Sequence, residues 1–185
     1  MMKYFEVVKG DRLYLSPLNI NDAELYVKWL TDKEITQYLG NRPVLDVETE
    51  REWIRKNNNG YCFAIVLRDS DKLIGNCGFT NVDMVDRTAE IGIFIGDKEE
   101  QNKGYGREAM KILLNYGFNT LGLNNVMLKV YSFNEKAIRT YKKLGFKTFG
   151  VRRNSHYANG LMHDTIYMDM LRDEFNEIED FIFIP

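Results

Sequence analysis

The chain of 185 residues is 44% apolar and 28% charged, the balance of an ordinary globular protein long enough to bury a sizeable core. Its formal net charge of −2 gives no global pull toward nucleic acid or anionic membrane, and no apolar run approaches the length that spans a bilayer. Met-Met-Lys-Tyr-Phe-Glu lacks a signal-peptide core, and two cysteines with two histidines make a poor zinc set, so one cytoplasmic domain over residues 1–185 is expected, without metal, membrane or nucleic acid.

Residues 12–18 read as a strand, with Leu13 and Leu15 alternating with Arg12 and Tyr14. Asn21 reads as the cap of the next helix, closed by Glu24 three residues on, and that helix carries Ala23, Val27 and Leu30 at helical spacing. A short helix with Ile35, Tyr38 and Leu39 stops at Gly40, and a third runs from near Asp46 through Trp53 and Ile54 to Asn57-Asn58-Asn59-Gly60. Residues 61–67 are nearly all apolar, as in a strand covered on both faces. Asp69-Ser70-Asp71 turns the chain into residues 72–82, where Gly75 and Gly78 mark possible bulges. Cys62 and Cys77 fall in these apolar runs, the setting of buried free thiols rather than a disulfide. In residues 87–96, Ala89, Ile91, Ile93 and Ile95 share one strand face, and Glu90, Gly92 and Phe94 the other.

The second half opens on a glycine-rich turn, Gln101-Asn102-Lys103-Gly104-Tyr105-Gly106, leading into a long helix with the stripe Ala109, Met110, Leu113, Leu114, Gly117 and Phe118. A strand (126–131), a short helix (135–144), a strand from Phe146 and a last strand (161–170) follow, the last two joined at Asn159-Gly160. Residues 12–170 form the expected core; the tail from Arg172, acidic and then apolar, reads as a helix. Strands first and strand–helix–strand afterwards predict an α/β (mixed α+β) fold, a mixed sheet with helices on both faces.

Strand, glycine loop, helix is an arrangement that binds phosphate. Glycines let backbone approach an anion, and the free N–H groups of a helix start point at it with the helix dipole behind them. The spacing here is Gln-x-x-Gly-x-Gly, neither the dinucleotide-binding Gly-x-Gly-x-x-Gly nor a P-loop. By itself the hexapeptide fits a flexible helix-start turn equally well.

Three segments in order change that: residues 89–95 (Ala-Glu-Ile-Gly-Ile-Phe-Ile), the Gln101–Gly106 loop, and residues 134–146, Asn-Glu-Lys-Ala-Ile-Arg-Thr-Tyr-Lys-Lys-Leu-Gly-Phe. Together they resemble the GNAT acetyltransferases, in the branch holding ribosomal-protein N-terminal acetyltransferases and spermidine N-acetyltransferases. The resemblance is strong over residues 87–170 and architectural over 12–82. It implies a single N-acetyltransferase domain with a mostly antiparallel sheet, splayed between two parallel strands.

It also implies roles. Backbone N–H groups of Gln101, Asn102, Lys103, Gly104, Tyr105 and Gly106 would bind the pyrophosphate of acetyl-CoA, with Lys103 and Arg107 adding charge or merely facing water. The pantetheine arm would pair with backbone near Phe94 and Ile95, where an N–H would hold the oxyanion; the Phe94 side chain is expected to pack. Asn134 would cap its helix, bond the cofactor arm, or both, and Ala137 would leave room for the cofactor. Tyr141 would protonate the leaving thiolate, the alternative being a core aromatic at helical spacing. Gly145 stops that helix.

An alkylammonium near pKa 10 must lose a proton before it attacks, so a base is expected. Glu90 is the candidate; it otherwise binds a cationic substrate or meets water, and a water chain is the other route for the proton. Asp32, Glu34, Asp83 and Asp86 would suit a cationic acceptor or be solvated. His156 and His163 lie by the late hairpin, where His163-Asp164 orders the site or His163 bonds a neighbouring carboxylate. The acceptor is a small amine or a peptide N-terminus, and the apolar tail (Phe181, Ile182, Phe183, Ile184) joins a homodimer or covers the chain's own sheet. A CoA-binding sensor without catalysis is the alternative function.

Overall fold

Strands Val8–Lys9 (β1), Leu13–Pro17 (β2), Cys62–Leu67 (β3), Leu73–Asp83 (β4), Thr88–Ile95 (β5), Asn125–Tyr131 (β6), Lys147–Ala158 (β7) and Leu161–Leu171 (β8) hydrogen-bond in the order β1-β2-β3-β4-β5-β6-β8-β7. The helices are Ala23–Leu30 (α1), Lys33–Thr36 (α2), Val47–Asn57 (α3), Tyr105–Asn115 (α4) and Glu135–Leu144 (α5). This computed structural model describes residues 3–40 and 46–175; the apolar tail lies outside them. The described residues fall into two units, the first within Met1–Phe79 and Gly92–Leu113, the second within Thr80–Ile91 and Leu114–Glu177. None of the described helices is long and apolar enough to cross a membrane.

In the first unit β1 to β4 form antiparallel ladders. Ile65 faces Gly75 but Val66 faces Leu73, so Ile74 is the extra residue of a bulge beside Gly75. Gly78 stays in register with Cys62; a Cβ there would lie 2.6 Å from the Tyr61 carbonyl, so close approach rather than a bulge explains it. The expected cap at Asn21 is corrected. The Asn19 side chain accepts from the Asn21 N–H and opens a 3-10 turn, Ile20–Asp22. That turn puts Asp22 at the head of α1, where its buried carboxylate takes the Tyr4 hydroxyl and the Lys3 ammonium instead of capping. The core face of α1 is also corrected, to Ala23, Tyr26 and Trp29, because the two aromatic rings fill the space under the helix. α3 starts beside Asp46 as expected, and the Asp46 side chain caps it, accepting from the Thr49 N–H. Tyr26, Trp29, Ile35, Ile54, Ala64 and Val66 belong to one apolar cluster, against which Phe94 packs.

In the second unit β5 and β6 run parallel, with Thr88, Ala89 and Glu90 opposite Asn125, Val126 and Met127. That ladder ends at Glu90 and Met127, although β5 runs on to Ile95 and β6 to Tyr131. β6 pairs along its whole length with β8, and β8 pairs with β7 across the Asn159-Gly160 turn, where both residues have positive φ. The stripe from Ala109 to Phe118 is buried as expected, but beyond Asn115 the helix widens into a π turn, Tyr116–Thr120. Arg172–Glu174 is a 3-10 turn rather than the start of a helix, with Glu174 bonded to Lys147.

Two stability predictions follow from this packing. A Cβ at Gly75 would lie 2.1 Å from the Phe94 carbonyl oxygen, a backbone atom that cannot step aside. Gly75→Ala should cost about 3 kcal/mol in urea unfolding, against less than about 0.5 for Gly92→Ala, where no atom stands within 4 Å. Glu50 on α3 is 3% exposed, and its carboxylate has no hydrogen-bond or ion-pair partner among the described residues. Burial pushes its pKa up to about 7 from the ordinary 4.5. The folded chain therefore keeps a proton that the unfolded chain releases, and stability falls as pH rises from 4.5 to 7. Glu50→Gln should leave stability nearly unchanged at pH 4 and raise it by up to about 3 kcal/mol at pH 8. A gain that is equal at both pH values would contradict a raised pKa.

Candidate active site

The glycine loop lies wholly in the first unit. A 3-10 turn, Lys98–Glu100, follows β5, capped by Asp97. The Gln101 amide then donates to the Ile95 carbonyl at 2.9 Å and folds the loop back over the end of the strand. Asn102 and Gly104 take φ of 67° and 88°, left-handed positions of the kind that anion-binding turns use. Glu108 is the first residue of α4 whose N–H finds a carbonyl one turn back, that of Gly104 at 3.1 Å. The N–H groups of Tyr105, Gly106 and Arg107 come before it and lack helical acceptors, as at any helix start.

Side-chain charge around the loop is already paired. Lys103 bonds Glu100 at 2.9 Å, and Lys72 bonds Glu100 at 3.0 Å and Asp97 at 2.8 Å. The two ammonium groups hold the Glu100 carboxyl below its usual range, and Glu100 in turn raises Lys103. Lys103 is therefore committed within the loop. Arg107 is exposed and has no ion-pair partner among the described residues. At the end of β5, Phe94 meets Tyr26 and Trp29 edge-on at 6.3 and 6.2 Å, and the Gly96 N–H donates to the Ile74 carbonyl at 2.8 Å.

Glu90, Asn134, Ala137 and Tyr141 lie in the second unit. The Glu90 carboxylate bonds Lys129 at 2.9 Å and the Asn81 amide at 3.4 Å. Asn134 caps α5, its Oδ1 accepting from the Ala137 N–H at 3.2 Å, which leaves its NH₂ available. The helix is amphipathic yet buries no residue: Ala137, Ile138, Tyr141 and Leu144 on its apolar side are only half-buried. The Tyr141 ring stands edge-on to Phe146 at 6.0 Å, and burial pushes its pKa up to about 12. Its hydroxyl has no hydrogen-bond partner among the described residues.

The remaining candidates have structural partners. Asp32 and Glu34 both bond Lys98, at 2.7 and 2.6 Å, and Asp32 also accepts the Glu34 N–H at the head of α2. Asp83 accepts the Val85 and Asp86 N–H groups and holds the β4–β5 turn. His156 and His163 face each other across β7 and β8. His156 stacks on Tyr131 at 3.5 Å, and His163 packs on Phe133 at 4.6 Å. The Asp164 carboxylate accepts the Asn154 N–H, so the expected histidine–carboxylate bond is corrected. Neighbouring strand residues point to opposite faces, which separates His163 from Asp164. Cys62 and Cys77 are free and buried, their thiols pushed up by that burial, the reverse of an activated nucleophile.

A family model described as "Acetyltransferase (GNAT) domain" matches residues 12–147. The uncharacterised N-acetyltransferase p20 of Bacillus licheniformis is 31% identical over 176 residues, covering 92% of this chain and 98% of its own. Spermidine N(1)-acetyltransferase of Escherichia coli (strain K12) is 34% identical over 111 residues, 60% of this chain and 59% of that one. Among solved structures, spermidine N-acetyltransferase from Vibrio cholerae in complex with CoA and spermine is similar at a TM-score of 0.81 and 26% identity, over 88% of this chain and 97% of that one.

Proposed function

Because the chain belongs to the GNAT acetyltransferases, an N-acetyltransferase class, we propose that it moves the acetyl group of acetyl-CoA to a primary amine by direct attack. The observation that carries this reading is the head of α4, where a loop with two left-handed residues leads, after β5 and a 3-10 turn, into N–H groups without helical acceptors. Such a helix start suits a pyrophosphate. With Lys103 already paired, the backbone supplies most of this attraction and Arg107 adds the free charge. α5 by itself keeps a half-covered apolar side with the small Ala137 on it, which would suit an apolar arm of the cofactor, and the Asn134 NH₂ would be free to bond it.

Bound acetyl-CoA supplies the reactive thioester. A backbone N–H near Phe94 and Ile95 would stabilise negative charge on the thioester oxygen, and Tyr141 would protonate the leaving sulfur. A phenol pushed up to about 12 stays protonated throughout the working pH range, so the donor is always loaded. The acid strength it lacks comes from the negative charge growing beside it. The proton lost by the amine goes to Glu90, directly or through water. Tyr141→Phe should lower kcat by about 100-fold and change the Kd for CoA by less than about threefold, read by steady-state kinetics and calorimetry. An unchanged kcat would remove Tyr141 as the acid.

The pH–rate profile tests the other end. Glu90→Gln should flatten its acidic limb. A profile unchanged in that variant would exclude Glu90 as base. The acceptor class is a small cationic amine or a peptide N-terminus. The spermidine-acetylating relative supports testing the polyamine first.

A further inference from the structure

Arg12 precedes β2 and lies 96 residues from Glu108 in the chain, yet the two form the most heavily bonded side-chain pair around the glycine loop. Its Nε and Nη2 both reach Glu108 Oε2 at 2.8 Å, and its backbone N–H donates to Glu108 Oε1 at 2.8 Å. Nη1 donates to the Lys103 carbonyl at 3.0 Å, and the guanidinium lies over the Tyr105 ring, 4.7 Å from its centre. One planar group thus grips the loop, the first residue of α4 and the end of the first helical turn. Arg12 is itself anchored: its carbonyl accepts from the Arg68 N–H at 3.0 Å.

We propose that Arg12 is a positioning residue for cofactor binding, holding the loop and the head of α4 in the conformation that presents their N–H groups to a pyrophosphate. The inference rests on the acetyl-CoA reading above. Two physical effects act together. The fork fixes the path of Lys103 and Gly104, the point where the left-handed turn is made. It also neutralises Glu108, a carboxylate within one turn of the helix start that would otherwise repel an incoming phosphate. A lysine could supply the charge but could not span carboxylate, carbonyl and ring at once.

Calorimetric titration of the full chain with CoA tests this without knowledge of the acceptor, with thermal unfolding of each variant alongside. Arg12→Met should weaken CoA at least tenfold while leaving a cooperative unfolding transition, and Arg12→Lys should recover only part of the loss. Glu108→Gln should also weaken CoA several-fold, although it removes a negative charge near the phosphates. Arg68→Met is the control: it loses the bonds to Glu6 and the Gly10 carbonyl in the same unit and should leave the Kd within twofold. Wild-type affinity in Arg12→Met would overturn the proposal. So would a loss in Arg68→Met as large as that in Arg12→Met, which would mark general destabilisation. Tighter binding by Glu108→Gln would show a bare charge effect and overturn it too. A wild-type chain that binds no CoA would overturn the acetyl-CoA reading first and this inference with it.

Discussion

The head of α4 carries backbone N–H groups that no carbonyl of the helix can reach, and much of the first unit keeps them where they are. Gln101 ties the loop to the end of β5, and Lys72, Glu100 and Lys103 form a chain of charge that is neutral against Asp97. Gly104 makes a turn that a side chain would strain, and Arg12 closes the loop from the β2 side. A phosphate site built from such amides needs order more than charge, because its donors are fixed dipoles whose attraction depends on direction. The salt bridges around the loop are half-exposed and individually weak. Their value lies in fixing geometry, not in attracting an anion from solution.

The second unit meets a different constraint. Its helix α5 is capped at both ends, by Asn134 and by Gly145 in the left-handed conformation, so its position is well set although it buries no side chain. Apolar side chains left half-covered forgo part of the stabilisation that burial would bring, about 25 cal/mol per Å². The acetyl-CoA reading gives that side of the helix an occupant. It also accounts for a half-covered phenol whose pKa is pushed up and whose hydroxyl has no hydrogen-bond partner among the described residues.

The sequence made the local chemistry readable: the glycine loop, the Asn134 cap, the start of α3 near Asp46 and the Asn159-Gly160 turn each depend on residues within a few positions of one another. Strand faces and the buried stripe of the long helix were readable for the same reason. What stayed hidden was long-range pairing. Glu90 reads as a free carboxylate until Lys129, two residues beyond its partner Met127 on β6, reaches it, and Arg12 reads as an ordinary strand-start cation until Glu108 arrives. Glu50 sits between Glu48 and Glu52 and looks like one more solvated acid; only the packing of α3 shows that it is buried. The face of α1 was misjudged because periodicity alone does not rank Tyr26 and Trp29 above Val27 and Leu30. Asn21 was misjudged because an Asn two residues earlier competes for the same capping role.

The most direct test of acetyl transfer is release of free CoA thiol from acetyl-CoA by the purified chain, against spermidine, amino sugars, amino acids and short peptides in parallel. The account predicts amine-dependent thiol release with at least one of these classes, with product mass raised by one acetyl group. Tight CoA binding with no thiol release on any primary amine would contradict it and leave a cofactor-binding module in place of an enzyme.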